Sequence, residues 1–375
     1  MLKWVQSGLS AVAGTAEPEY GPDSIHPVTD TIKNEEEIYR ETSVADFNWK
    51  VPTSTNVETQ TFYFTDLNTG YTGFAQVIHS NLMGVHTTAQ FTFRLFNNKD
   101  PKDSNITWTS TKLEEFRTEG SNFYAKDLSI ELNEENNLYT LKSAVNKDSI
   151  VELTVSKLVP GVIFGKDGFT YYGDDLANPW GSMRHLFWPR CSVKGSIKLQ
   201  NSTIDINGYT MFVMALQGMK PHHAAKSWNF LNFQSENYSA VQMEFTTPIS
   251  YNTTKVNIGV VTTNDKILFA SINNKVDHID SKIDEIGWPV PNQIQFNFNK
   301  ALESSETRAS VKGELKQLVE RVDVMAEIPQ FVKNIVSGVA GTKPYIYQFC
   351  NDMTIQVDDV SEHGIGFNEA TFISE

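Results

Sequence analysis

Residues 71–96 read YTGFAQVIHSNLMGVHTTAQFTFRLF, and residues 209–233 read YTMFVMALQGMKPHHAAKSWNFLNF. With one gap they align Tyr71 with Tyr209, Phe74 with Phe212, His86 with His223, Phe91 with Trp228, Phe93 with Phe230 and Phe96 with Phe233. A solenoid needs several short repeats, so a single recurrence at this distance points to duplication of a whole domain. The flanking sequence has the period of β-structure. Leu128, Ile130 and Leu132 alternate with Ser129 and Glu131, Val151, Leu153 and Val155 with Glu152 and Thr154, and Phe62 and Phe64 with Thr61, Tyr63 and Thr65. Farther along, Val256, Ile258 and Val260 share one face, as do Ile294, Phe296 and Phe298. Turn signals at Leu67-Asn68-Thr69-Gly70 and Asn207-Gly208 separate the runs. Many short strands with one apolar face predict an all-β chain of two tandem antiparallel barrels, one over 45–180 and one over 181–375. Residues 311–326 read as strand, followed by a short helix from Pro329 to Val339 capped by Gly341.

Composition fits this division. The chain has 375 residues, room for about two domains, and 40% apolar residues. A net charge of -14 argues against nucleic acid as a partner and against a polybasic lipid anchor. Cys191 and Cys350 are the two cysteines, which fits a reducing compartment.

The amino-terminal run MLKWVQSGLSAVAGTA (1–16) is amphipathic at helical spacing. Leu2, Val5, Leu9, Val12 and Ala16 form the apolar stripe, Trp4 flanks it, and Lys3, Ser7, Ser10 and Gly14 lie opposite. The reading is a helix lying on a membrane surface through Met1, Leu2, Trp4, Val5, Leu9 and Val12. Its competitors are a helix docked on its own protein and a secretory signal, although serines and glycines interrupt every candidate signal core. Acetylation of Met1 would remove a charge that is unfavourable both on desolvation and at the positive end of the helix dipole. Residues 17–44, within the Pro-, Glu-, Asp- and Thr-rich stretch Glu17–Thr55, read as a tether.

Several longer motifs carry a resemblance. NPWGSMRHLFWPR (178–190), GMKPHHAAK (218–226), the start MLKWVQSG, AEPEYG, FAQVIHSN and the block RVDVMAEIPQFVKNIVSGVAGTKPYIYQ closely resemble the fungal survival factor proteins. The resemblance implies tandem lipocalin-like barrels that bind ceramide, carry it non-vesicularly from the endoplasmic reticulum to the Golgi, and support survival under oxidative stress. It further implies an acetylated Met-Leu start on a membrane-binding helix, matched here by Met1 and Leu2. The implied location is the cytoplasm and the faces of the endoplasmic reticulum and cis-Golgi, with the nucleus as an alternative. Relatives often carry a long acidic insertion before the second repeat, whereas Leu199–Gly208 is short and nearly neutral here.

For a lipid-binding cavity the candidate wall residues are Phe91, Phe93, Trp228 and Phe230, as inward-facing aromatics, and Trp180, Met183, His185 and Trp188, at a domain junction or pocket mouth. The plainer reading of each is packed core or interface. His79, His86 or His222 could meet the polar groups of a ligand. No cofactor or metal is expected, since HExxH, paired CxxC and GxSxG are absent and Gly161–Lys166 lacks the spacing and hydroxyl of a phosphate loop. One enzymatic alternative survives because the tandem-barrel fold also resembles that of bacterial carotenoid hydratases. Such chemistry needs a buried acid, but Asp174-Asp175 and Asp358-Asp359 sit in polar runs and no candidate stands out. A protein-binding scaffold is the third class.

Overall fold

The computed structural model describes residues 21–82, 84, 86–299, 307–326 and 343–374. The helix expected at 1–16, with the acetylation expected at Met1, and the helix expected at Pro329–Val339 lie outside the described residues. The described chain is almost entirely β. It opens with a strap: a 3-10 turn (Pro22–Ser24), β1 (Ile25–His26), one short helix (Val28–Ile32), β2 (Tyr39–Glu41) and a second 3-10 turn (Val44–Phe47).

The first barrel follows as a meander: β3 (Asn56–Thr65), β4 (Tyr71–Leu82), β5 (His86–Asn97), β6 (Thr107–Lys112), β7 (Arg117–Glu119), β8 (Asn122–Ala125), β9 (Leu128–Leu132), β10 (Leu138–Ser143) and β11 (Ile150–Lys157). Two short strands, β12 (Val162–Phe164) and β13 (Phe169–Tyr172), then lead into the long hairpin β14 (Gly181–Lys198) and β15 (Thr203–Gln217). Sequential strands pair antiparallel, and β15 returns to pair with β3, so the sheet curls closed except between β6 and β7.

The second barrel repeats this plan. β16 (Ser227–Ser235), β17 (Ser239–Thr246), β18 (Lys255–Thr262) and β19 (Ile267–Ser271) form one run. β20 (Lys275–Ile283), β21 (Pro289–Asn299), β22 (Thr307–Glu314), β23 (Leu318–Asp323) and the closing hairpin β24 (Tyr345–Val357) and β25 (Val360–Phe372) form the other. β25 pairs with β16, and the sheet parts between β19 and β20. Within 311–326 the chain forms the end of β22 and all of β23, as its β-branched residues predict, with a break at 315–317 and a turn at 324–326.

The two sheets close in the same manner, first strand on last, but the recurrence read in the sequence falls on non-equivalent places and does not carry the duplication. Residues 71–96 are the β4–β5 hairpin of one sheet, whereas residues 209–233 run from β15 of the first sheet to β16 of the second. The structure equates β3, the opening strand at Asn56, with β16 at Ser227. His86 begins a strand while His223 lies in a short helix, Pro221–Ala224, so the two are not counterparts. The shared aromatic spacing arises because both stretches alternate toward apolar faces, which any strand of either barrel must do. The domain boundary moves accordingly. β14 and β15 belong to the first barrel, and the crossing occurs at 218–226, not at 180. Nor is Asn207-Gly208 a turn. Gly208 is inside β15, where an added Cβ would lie 2.1 Å from the Thr65 carbonyl oxygen, so glycine is there to let two strands approach. The actual turn is Leu199–Ser202, closed by the Leu199 N–H donating to the Ser202 carbonyl.

The described part of the expected tether is no tether. Ile25, Val28 and Ile32 are buried, and Phe47 is inserted at the centre of the first barrel. Its ring lies 5.7 Å from that of Trp188, 5.5 Å from Phe212 and 6.4 Å from Tyr139. A polar composition concealed this, because the few apolar residues of the strap, Ile25, Val28, Ile32 and Phe47, are spread thinly among polar ones. Asp46 fixes the plug. It accepts from both terminal nitrogens of Arg40 at 2.8 and 2.7 Å and from the Ser43 N–H at 2.7 Å. Burial raises its pKa, but the bonds from Arg40 and Ser43 outweigh burial and hold the carboxylate well below its ordinary range.

Candidate functional site

Alternation along each strand sends one set of side chains into its barrel and the other outward. In the first barrel the inward set includes Phe62, Phe64, Phe91, Phe93, Leu186 and Trp188, packed around Phe47 and Trp49. Phe91, Phe93 and Trp188 are thus core of a barrel filled by its own strap. In the second barrel the inward set is Leu231, Phe233, Phe296, Phe298, Tyr347 and Phe349. Trp228 and Phe230 have the opposite parity on β16 and point out of the barrel, which corrects their expected inward orientation.

They point instead into a seam between the barrels. Tyr63, Phe74, Phe96, Phe187, Met183, Met211 and Val213 from the outer face of the first barrel meet Phe230, Val241, Phe245, Ile258, Ile365 and Phe367 from the second. The Tyr63 ring is 5.4 Å from Phe230 and 5.2 Å from Phe367, and Phe74 is 6.0 Å from Phe367. Four of the eight cavity candidates therefore converge here: Met183, Trp228 and Phe230, with Trp180 packed at the edge. Trp180 meets the His223 ring at 5.8 Å and Tyr172 at 6.0 Å, beside the crossing segment that Tyr172 holds through a 2.7 Å hydrogen bond to the Ala224 carbonyl. His185 stacks on Phe187, and burial lowers its pKa to about 4, so it is neutral at pH 7. Of the histidines considered for polar contacts, His79 is buried inside the first barrel against Trp49, and His222 stacks on His223 at 4.1 Å. Neither they nor His86, on β5, is placed on the seam by the contacts that define it.

The barrels are riveted at one side by Arg190, which is fully buried at a bulge in β14. Its guanidinium donates to Gln234 Oε1 at 2.8 Å, to the Ser235 and Glu236 carbonyls at 2.9 Å and to Asn264 Oδ1, and it lies 3.4 Å over the Tyr209 ring. Burial lowers its pKa to about 10, still leaving it charged.

What the sequence did not disclose is an acid in the seam. Glu369, on β25, is level with Phe230 on one side and Gln348 on the other. Cross-strand partners share a face, so Glu369 emerges with Trp228 and Phe230 from the outer wall of the second barrel. Glu369 is half-buried, as are Trp228, Met243 and Ile346 around it, so it sits at the edge of the packed seam. Gln348 Nε2 donates to Glu369 Oε1 at 2.7 Å. Desolvation raises the carboxyl to about 7, partly offset by that bond. Two further polar atoms beside it, Gln348 Oε1 and Thr371 Oγ1, are buried without a protein partner. Glu369 was hidden because its neighbours in sequence, Asn368 and Ala370, give it no apolar context. The register of three strands supplies that context.

The arrangement is an apolar seam with one weakly acidic group at its half-buried edge, a pairing of surfaces that suits an amphiphile with a small polar head. Comparisons agree on the fold. The chain is similar to an AttH protein from Nitrosomonas europaea (TM-score 0.61, 12% identity, 88% of this chain and 97% of the other). It is also similar to kievitone hydratase from Nectria haematococca (TM-score 0.54, 13% identity, 96% and 99%). Far nearer in sequence are proteins named ceramide-binding protein SVF1. The chain is 71% identical to that of Debaryomyces hansenii and 65% identical to that of Candida albicans, with all of both chains covered, and 46% identical to the namesake from Neurospora crassa. The sequence model of the Svf1 family matches residues 2–374. Two barrels of lipocalin type packed across an apolar seam, and an identity that runs the full length of these fungal relatives, lead to one assignment: the chain belongs to the Svf1 family.

Proposed function

We propose that the protein is a carrier that binds ceramide, or a closely related sphingolipid, in the seam between its barrels. In this reading it collects the lipid at the endoplasmic reticulum and releases it at the Golgi, and this traffic underlies survival under oxidative stress. The observation that carries the binding site is the Glu369–Gln348 pair at the half-buried edge of the apolar seam, beside Trp228, Phe230 and Tyr63. The ceramide-binding names of the relatives support the ligand. Transfer of a lipid chain through water costs about 0.8 kcal/mol per methylene, on the order of 10 kcal/mol for one long chain, so a carrier must cover the tails. The first barrel is filled by Phe47 and Trp49 and the second by its own inward side chains, Phe233, Phe296, Phe298 and Tyr347 among them, which favours the seam. The stripe Leu2, Val5, Leu9 and Val12, with Trp4 and an acetylated Met1, gives reversible contact with endoplasmic-reticulum and cis-Golgi membranes.

A second reading, a lipid-modifying enzyme, gains one specific observation: Glu369 with a pKa near 7 is a proton donor in apolar surroundings. Mass spectrometry of lipids that co-purify with the intact protein decides. A stoichiometric sphingolipid, lost in the folded variant Phe230→Asp, is expected for the carrier. A substrate and product pair would overturn it in favour of the enzyme, and an empty protein would favour a scaffold. For the helix, Leu9→Asp should abolish flotation with liposomes and leave the melting temperature unchanged. Unchanged flotation refutes membrane attachment by this stripe.

A further inference from the structure

A carboxyl group in an apolar seam is costly unless it is neutral, paired with a cation or put to use. Among the described residues no Lys, Arg or His forms an ion pair with Glu369, and its hydrogen bond comes from an uncharged amide. Its surroundings can be named strand by strand. β16 presents Trp228 and Phe230, β17 presents Met243, and β25 presents Phe367 and Thr371. From the other barrel β3 brings Tyr63, whose own pKa is pushed up by burial and by the Glu369 charge. On β24 lie Gln348 and, two residues on, Cys350. Beyond Gln348, β23 carries Glu320, level with it in register and paired to Arg94 at 3.6 Å. Arg94 is committed to that carboxylate and to the Val319 carbonyl at 2.9 Å.

We propose that Glu369 is the polar anchor of the seam: as a neutral carboxylic acid it donates its proton in a hydrogen bond to the amide carbonyl of a long-chain, hydroxyl-bearing amide, and Gln348 is the positioning residue that fixes the orientation. This rests on the seam being the lipid site. Gln348 donates to Oε1, so Oε1 is the carbonyl oxygen and the acidic proton sits on Oε2, turned away from Gln348. The carboxylate has no proton to give and would face the carbonyl oxygen with like partial charge. A bound lipid also removes the water that remains at the seam's edge, which disfavours the charged form further. Lipid binding and protonation of Glu369 therefore favour each other, and a rise in pH releases the ligand.

With the carboxyl titrating at about 7, the neutral fraction falls from about nine-tenths at pH 6 to about one-tenth at pH 8, so apparent affinity should weaken about tenfold over that interval. The test measures binding of a fluorescent long-chain ceramide to the full-length protein at pH 6, 7 and 8. Diacylglycerol of matched chain length, which lacks the amide, serves as comparison, and melting curves confirm folding. Glu369→Gln, whose amide donates at every pH, should bind ceramide equally at pH 6 and 8. Glu369→Leu should lose about tenfold for ceramide at pH 6 and little for diacylglycerol. Gln348→Leu should move the midpoint of the pH profile upward, since the bond that favours the carboxylate is gone. A tenfold pH dependence that persists in Glu369→Gln overturns the proposal, as does wild-type ceramide affinity in folded Glu369→Leu. Phe230→Asp separates the layers: if it abolishes capture while Glu369→Leu binds normally, the seam stands and the anchor falls. If both folded variants bind as wild type, the seam itself is refuted.

Discussion

Replacing Glu369 by Gln should stabilise the protein at high pH and leave it nearly unchanged at low pH. The carboxyl has an ordinary value of 4.5 and is raised to about 7 in the folded chain, chiefly by desolvation. Between those values the native state holds a proton that the unfolded chain has released. Native protein then binds more protons than unfolded, and stability falls as pH rises through the window from about 4.5 to 7 and levels off above it. At 1.36 kcal/mol per unit the full loss approaches about 3 kcal/mol, and water reaching the seam's edge makes this an upper value. At pH 5 most of the window still lies ahead, and the loss is below about 1 kcal/mol. The substituted amide keeps the shape, and its oxygen still accepts from Gln348. Urea unfolding of both proteins at pH 5, 6, 7 and 8 should therefore show curves that nearly coincide at pH 5 and separate progressively toward pH 8, the variant being the more stable. An offset that is the same at every pH, or a variant less stable at pH 8, refutes the claim that this carboxyl is held in apolar surroundings.

Phe47→Ala should cost about 3–5 kcal/mol, because the ring fills the first barrel among Tyr139, Trp188 and Phe212 and nothing else in the strap can reach the space; a cost under about 1 kcal/mol in urea unfolding would show that the strap is not a plug. Arg190→Met should cost about 3–5 kcal/mol by removing the donor that Gln234, Asn264 and the Ser235, Glu236 and Tyr238 carbonyls share, and limited proteolysis should then cut the 218–226 crossing faster; an unchanged cutting rate would show that Arg190 does not join the barrels. Gly208→Val should disrupt the β3–β15 closure, since its Cβ would meet the Thr65 carbonyl, and a soluble variant with a wild-type melting temperature would refute that close approach.

Local pattern was enough to determine that this chain is almost entirely β over its described length, built of antiparallel strands with one apolar face each. Alternation with period two is a property of a strand by itself, and it survives in the sequence because each strand must separate an apolar face from another. The amino-terminal stripe is legible for the same reason at helical period. Which of the two faces looks into a barrel is not a local property. It depends on how the sheet curls, so Phe91 and Phe93 were rightly read as inward while Trp228 and Phe230, with the same apparent pattern, line the seam. The non-equivalent places of the recurrence were equally hidden, because β15 and β16 are consecutive in the chain yet belong to different sheets. Glu369 shows the limit most plainly. Its character comes from Phe230 on β16, Gln348 on β24 and Tyr63 on the other barrel, residues 21 to about 300 positions away in the chain. A carboxyl group acquires its pKa from whatever excludes water around it, and only the tertiary structure decides what that is.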